Sequence, residues 1–177
     1  MLLGGSYDTF VNSAKNWTTY YNETNKRLSA TVGLGFNEFF LRGTYGRLEA
    51  RGTSKLKNLP VDGVALWRQE FYEVGLRHID LKPTGGWYFD FAYFRSNATE
   101  SIATKEPEVQ ELAASGFVKA NGLSLGGGFL LRILGPVYLD GGMHFAITGL
   151  GKDEWIDSDV LNLGGWNLSV GITIIEQ

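Results

Sequence analysis

The sequence predicts an all-β chain: an eight-stranded antiparallel transmembrane β-barrel, wound as an up-and-down meander. Three observations carry this expectation. Residues alternate with period two over long stretches, the two alternating faces differ in kind, and the connections alternate short and long. Residues 121–148 show the first two. Leu123, Leu125, Gly127, Phe129 and Leu131 share one face, and Ser124, Gly126, Gly128, Leu130 and Arg132 share the other. After a Gly135-Pro136 turn, Val137, Leu139, Gly141, Met143, Phe145 and Ile147 oppose Tyr138, Asp140, Gly142, His144, Ala146 and Thr148. Such alternation specifies two antiparallel strands joined by a tight turn. In a soluble sandwich the second face would meet water and be rich in Lys, Glu, Thr and Gln. Here it is mostly small residues with isolated charges, which suits a crowded interior. The large apolar side chains then point outward, as they do where a closed ring of strands crosses a membrane.

Composition is consistent with this. At 177 residues the chain is one domain, residues 1–177. It holds 24 Gly, 14% aromatic and 44% hydrophobic residues, with a mean hydropathy of only −0.10. A barrel needs only every second strand residue apolar, so a moderate mean is expected. No run of eighteen apolar residues exists to form a transmembrane helix. The opening Met-Leu-Leu-Gly-Gly-Ser has no basic start and no long apolar stretch, so it is not a signal peptide. A membrane barrel would need one, and Met1 is expected to stand where a signal peptide was removed. Zero cysteines exclude disulfides and thiolate metal sites. A net charge of −3 and a pI near 5.4 give no reason to expect a nucleic-acid partner.

The elements follow in order. Residues 2–11 read as a strand with Leu3, Gly5, Tyr7 and Val11 on one face, or as part of a helix through Tyr7, Phe10, Val11, Ala14, Trp17 and Tyr21. Residues 28–36 set Leu28, Ala30, Val32, Leu34 and Phe36 against Ser29, Thr31, Gly33 and Gly35. After Asn37-Glu38, Phe39, Leu41, Gly43 and Tyr45 oppose Phe40, Arg42, Thr44 and Gly46. Residues 48–66, with Gly52, Asn58, Pro60 and Gly63, read as a loop. Residues 70–80 place Tyr72, Val74 and Leu76 outward, with Glu73, Gly75 and Arg77 inward. Lys82-Pro83-Thr84-Gly85 turns the chain into Trp87, Phe89, Phe91 and Tyr93 against Tyr88, Asp90, Ala92 and Phe94. Residues 96–116 form the longest polar insertion, and 149–160 an acidic loop. The last strand sets Trp166, Leu168, Val170, Ile172 and Ile174 against Asn167, Ser169, Gly171 and Thr173. That makes seven strands from residue 28 onward. Bacterial membrane barrels carry an even number, so 2–11 is read as the eighth strand and 12–27 as the first long loop.

With these strands and connections, the chain resembles the small eight-stranded bacterial outer-membrane barrels, the OmpA/OmpX and opacity-like proteins. The resemblance covers nearly the whole chain and is architectural. It implies short periplasmic turns, long extracellular loops, both termini on the periplasmic side and residence in the bacterial outer membrane. Its implied partners are outer-membrane lipids and lipopolysaccharide, with a host or cell-surface ligand at the loops, for a monomer without cofactor or metal. One departure stands out: such barrels usually finish on an aromatic residue, and this chain reads Ile174-Ile175-Glu176-Gln177.

Three sets of residues bear on chemistry. Inward charges form the first: Arg42, Arg77 and Arg132 against Glu73, Asp90 and Asp140, with His144 four residues from Asp140 on the same face. In an interior too narrow for a pore, these are expected to pair, since isolated buried charges are costly. The second is on the loops, where Trp17, Tyr20 and Tyr21 with Arg51, Lys55 and Lys57 could hold phosphates or a host ligand. Beside them are the acidic loops, with Glu100, Glu106, Glu108, Glu111, Asp153, Glu154, Asp157 and Asp159. The acidic run lacks the spacing of a calcium loop. The third is the set of aromatics at strand ends, Trp67 and Trp166 toward the long loops and Phe39 and Trp87 toward the turns, which suit interfacial girdles. His78 falls near a short turn on the outward face. Two other functions are carried as alternatives. A lipid A deacylase would need a His-x-Ser pair, whereas the triplets here are His78-Ile79-Asp80 and His144-Phe145-Ala146; residues 6–21 could mimic the N-terminal helix of a lipid A palmitoyltransferase. A soluble lipocalin-like carrier would instead turn Leu125 and Phe129 inward around an apolar ligand.

Overall fold

A computed structural model describes residues 1–12, 25–53, 64–103, 116–148 and 165–176. They form eight strands: β1 (Leu2–Asn12), β2 (Asn25–Phe36), β3 (Phe39–Thr53), β4 (Val64–Lys82), β5 (Gly85–Ala103), β6 (Gly116–Leu134), β7 (Val137–Thr148) and β8 (Gly165–Ile175). Each pairs antiparallel with the next, and β1 pairs with β8 from Leu2↔Ile175 to Asn12↔Gly165, which closes the barrel. The segment 2–11 is therefore strand throughout.

The turns follow from local chemistry. Asn37-Glu38 joins the Phe36↔Phe39 pair, with Asn37 at φ 57°, a left-handed conformation that Asn tolerates better than most residues. Gly135 at φ 54° opens the β6–β7 turn, just after a register shift between Arg132 and Leu134. Pro83-Thr84 makes the third short turn.

Facing is settled by exposure. Leu34, Phe36, Phe129, Leu168 and Val170 are 76%, 81%, 77%, 62% and 61% exposed, and similar residues form a continuous outward belt. A soluble protein seldom exposes an apolar patch above a few hundred Å², so a belt around the whole circumference fits hydrocarbon rather than water. A carrier's pocket would have enclosed Leu125 and Phe129, and both stand on the outer surface. Inside, Leu2, Phe40, Ile79, Tyr88, Leu130, Tyr138 and Ile175 pack together as an apolar floor at the short-turn end. The inward glycines make room for larger neighbours: a Cβ on Gly142 would collide with the Tyr88 hydroxyl, and one on Gly126 with the His144 ring.

The strands run further from the short turns than the alternation indicates. The predicted loop 48–66 shrinks because the β3–β4 ladder continues through Arg51↔Leu66, Gly52↔Ala65 and Thr53↔Val64. Residues 96–103 likewise belong to β5, and 25–27 to β2. The cause is physical. Above the apolar belt the outward face carries Arg47, Glu49, Arg68 and Arg95 while Leu48, Ala50, Trp67 and Phe71 turn inward, so the apolar-out contrast that marks the membrane strands reverses. Trp67 is a second correction. It is 1% exposed and faces inward, donating its indole N–H to Gln69 at 3.2 Å, because the inward positions of β4 are the odd ones down to residue 67.

Leu125→Arg or Val170→Arg is expected to cost roughly 2–4 kcal/mol in a bilayer, where a mid-membrane charge is expensive. Denaturant unfolding from vesicles measures this, and a loss below about 0.5 kcal/mol would mean that these positions do not contact lipid.

Candidate functional site in the barrel interior

The inward positions of six strands bring charged side chains to one level above the apolar floor. Asp8 comes from β1, Arg27 from β2, Arg42 from β3, Glu73 and Arg77 from β4, Asp90 from β5, and Asp140 and His144 from β7. They form a chain of alternating sign. Arg27 Nε donates to Asp8 Oδ2 at 2.7 Å, and its Nη1 lies 3.9 Å from Glu73. Arg42 Nη1 reaches Glu73 at 3.1 Å while its Nε reaches Asp90 at 3.1 Å. Arg77 grips Asp90 with two bonds, Nε to Oδ1 at 2.8 Å and Nη2 to Oδ2 at 2.7 Å, and extends Nη1 to Asp140 at 3.5 Å.

Hydroxyls complete the layer. Ser29 donates to Asp8 at 2.9 Å, while Tyr88 and Thr173 donate to the two oxygens of Asp140 at 2.9 and 3.0 Å. The Arg77 guanidinium also lies 4.0 Å from the centre of the Tyr88 ring, adding a cation–π contact. Asp8 and Asp90 are 0% exposed and Arg42 is 2% exposed. Charges this deeply buried persist only when paired in good geometry, and the two-pronged Arg77–Asp90 contact is the strong form of such a pair.

The layer encloses a cavity of about 40 Å³ bordered by Gly4, Ser6, Thr31, Thr44 and Ser169 as well as the charged groups. That is room for a few water molecules. Asp8 Oδ1 and Arg42 Nη2, both on residues lining it, have no protein partner among the described residues. Among the described residues no cluster of His, Asp and Glu is spaced to hold a metal ion.

The structure brings together Arg42, Glu73, Arg77, Asp90 and Asp140 from the sequence-predicted set, with His144 at its edge. His144 does not bond Asp140; its Nδ1 lies 3.9 Å from Asp90 Oδ2, beyond hydrogen-bond range. Arg132 does not belong to the layer. It sits below the apolar floor, next to the β6 register shift, and is exposed at the short-turn rim. There its Nε and Nη1 cap the carbonyls of Gly135 and Pro83 at 2.7 and 3.3 Å. The sequence reading missed Asp8 and Arg27, the pair that starts the chain. Parity could have found both, since Asp8 shares a face with Gly4 and Ser6, and Arg27 with Ser29 and Thr31. His78 stands outward at the turn end, 3.2 Å from Glu38 and between the rings of Phe39 and Trp87. Of the predicted loop residues, Arg51 is on β3 and exposed, while Trp17, Tyr20, Tyr21, Lys55 and Lys57 lie outside the described residues. So do Glu106, Glu108, Glu111, Asp153, Glu154, Asp157 and Asp159.

No protein-family model matches the sequence, and no curated protein sequence matches it. Solved structures do. The chain is similar to the N-terminal β-barrel domain of Pseudomonas aeruginosa OprF, at 10% identity and a TM-score of 0.56, over 98% of this chain and 96% of that one. The fold is that of the eight-stranded outer-membrane barrels. Neisserial surface protein A gives 13% identity and a TM-score of 0.54, over 98% and 95% of the two chains. Ail, the attachment invasion locus protein of Yersinia pestis, solved with the heparin analogue sucrose octasulfate, gives 11% and 0.55, over 98% and 96%.

Asp90→Ala removes the carboxylate shared by two buried guanidiniums and is expected to destabilise the folded barrel by about 3 kcal/mol. Arg132→Ala, at the exposed rim, should cost below about 1 kcal/mol. Urea unfolding in micelles compares them; equal losses would remove the buried network as a source of stability.

Proposed function

We propose that the protein is an integral barrel of the bacterial outer membrane with a closed, non-conducting lumen. Its work is structural or adhesive, performed by the long loops at the extracellular end. The observation that carries this reading is the pairing of an uninterrupted outward apolar belt with an interior occupied by an apolar floor and a cross-linked charged layer. A belt suits a bilayer, and guanidiniums bonded to carboxylates on other strands leave no row of solvated charges for an ion to follow.

The similar structures support the same direction. One is named as a surface protein and another as an attachment protein that takes a sulfated sugar analogue. The loop residues Trp17, Tyr20, Tyr21, Lys55 and Lys57, with Arg51 at the end of β3, supply the aromatic and basic groups for a sugar or anionic partner. Lipopolysaccharide and a host or cell-surface ligand are the partners proposed here, for a monomeric barrel. The enzyme alternative draws less support. An outward groove is lined by Trp87, Phe129, Met143 and Leu168 with glycines, and the hydroxyl at its edge, that of Tyr88, is donated to Asp140.

Refolding with and without micelles tests the membrane reading. A folded species formed only with micelles, migrating differently on unheated and boiled gels, is expected. A water-soluble monomer folded without detergent would overturn it. In planar bilayers the inserted protein should show no stepwise conductance, and regular steps would overturn the closed lumen.

A further inference from the structure

The apolar belt ends, away from the short turns, in a rung of tyrosines: Tyr45 and Tyr72, with ring centroids 5.3 Å apart, and Tyr93 beside them on β5. Immediately beyond this rung the outward face becomes basic on one side only. Lys26, Arg47, Arg51, Arg68, Arg95 and Lys119 come from β2 to β6, and all six are exposed. Among the described residues, no outward Lys or Arg stands on β1, β7 or β8.

Among the described residues, two outward carboxylates stand beside the arginines. Glu49 serves two cations at once, Arg47 at 2.6 Å and Arg68 at 3.3 Å. Glu70 has one oxygen 3.2 Å from the Tyr45 hydroxyl and the other 2.8 Å from that of Tyr72. Arg51 and Arg95 form no ion pair with a described residue. A surface charged merely for solubility would mix signs around the whole circumference. This one gathers guanidiniums, whose fork of donors matches phosphate oxygens, on one flank, from the height of Arg47 and Arg95 upward.

That height is fixed by the strands. Eight residues separate Phe39 from Arg47, and eight separate Trp87 from Arg95. At about 3.4 Å per residue and a tilt near 40°, this is roughly 21 Å, close to the thickness of an outer-membrane apolar band. Arg47 and Arg95 therefore sit where lipid headgroups begin, with Arg68 just above them.

We propose that the outward basic face of β2–β6 is a binding surface for phosphorylated lipid headgroups of the surrounding leaflet, with Arg47, Arg68 and Arg95 as its centre. This rests on the membrane reading above and is separate from the loops. It places an annulus of anionic lipid on one flank of the barrel rather than evenly around it.

The test reconstitutes the full chain in phosphatidylcholine nanodiscs doped with a diphosphorylated glucosamine-disaccharide lipid. The protein is then extracted into mild detergent, and the retained lipid is counted by native mass spectrometry. The wild type should retain the phosphorylated lipid in preference to phosphatidylcholine. Arg68→Gln and Arg95→Gln should each lower its affinity about fivefold, as expected of a cation beside an anionic membrane surface. Lys82→Gln, at the opposite end, should leave retention unchanged, and added inorganic phosphate should not displace the lipid. Equal retention by the arginine variants, equal retention of phosphatidylcholine, or displacement by matched inorganic phosphate would each overturn the proposal. The gel shift on heating separates the two readings. If the wild type never acquires it in detergent, the membrane reading fails and this one with it; if it does and the variants still hold lipid, this proposal alone fails.

Discussion

The structure depends on the closure of β1 against β8. In hydrocarbon every backbone N–H and C=O must find a partner within the protein, and an open sheet edge would leave a row of them bare. The ladder from Leu2↔Ile175 to Asn12↔Gly165 removes both edges at once. The two ends of the described chain meet there too: the Met1 amino group donates to the Glu176 carbonyl at 2.6 Å, and the Glu176 N–H to the Met1 carbonyl at 2.9 Å. Everything else follows from a ring of fixed circumference, whose outside must be apolar and whose inside must be packed.

A ring of eight strands is too narrow for an open passage and too wide to be filled by alanine and glycine alone. The interior solves this with a few long side chains reaching across it, each given room by a glycine or serine opposite. Tyr88 crosses to Asp140 over Gly142, and Arg77 lies along its ring. The charged layer thereby ties β1 through β5 and β7 by side chains as well as by backbone, so strands distant around the ring are linked directly. Such a layer also resists a slip in strand register, since a shift of one residue would send every inward charge to the lipid face.

Period-two alternation made much of this legible. It placed the inward Glu73, Arg77 and Asp90, the outward Phe89 and Leu125, and the three short turns, because within the membrane one face meets lipid and the other meets the lumen. Where that contrast ended, the signal ended. Beyond the apolar belt Arg47, Glu49 and Arg68 point outward while Leu48, Ala50, Trp67 and Phe71 turn inward, and strands whose facing is reversed read as loop. Arg27 was lost the same way: it sits one residue beyond the last clearly alternating position of β2 and looked like a loop cation, although it is buried against Asp8. Arg132 was misplaced because parity counts faces and not height: two residues nearer the turn than Leu130 of the apolar floor, it reaches the rim instead of the layer. His144 and Asp140 share a face, but which carboxylate lies nearer His144 depends on the cross-barrel geometry, which a single strand does not encode.

The strand lengths carry one more consequence. β4, β5 and β6 have 19 residues each, while β1 and β8 have 11 and β7 has 12. β6 runs six residues past the Gly122↔Thr148 pair at which β7 ends, roughly 16 Å at the same rise and tilt. Among the described residues the rim is thus oblique, and one flank stands up as a sheet-built blade. A large molecule approaching from the end away from the short turns meets the described structure at that blade first. The barrel accordingly has a front and a back, although its backbone is a nearly symmetric ring.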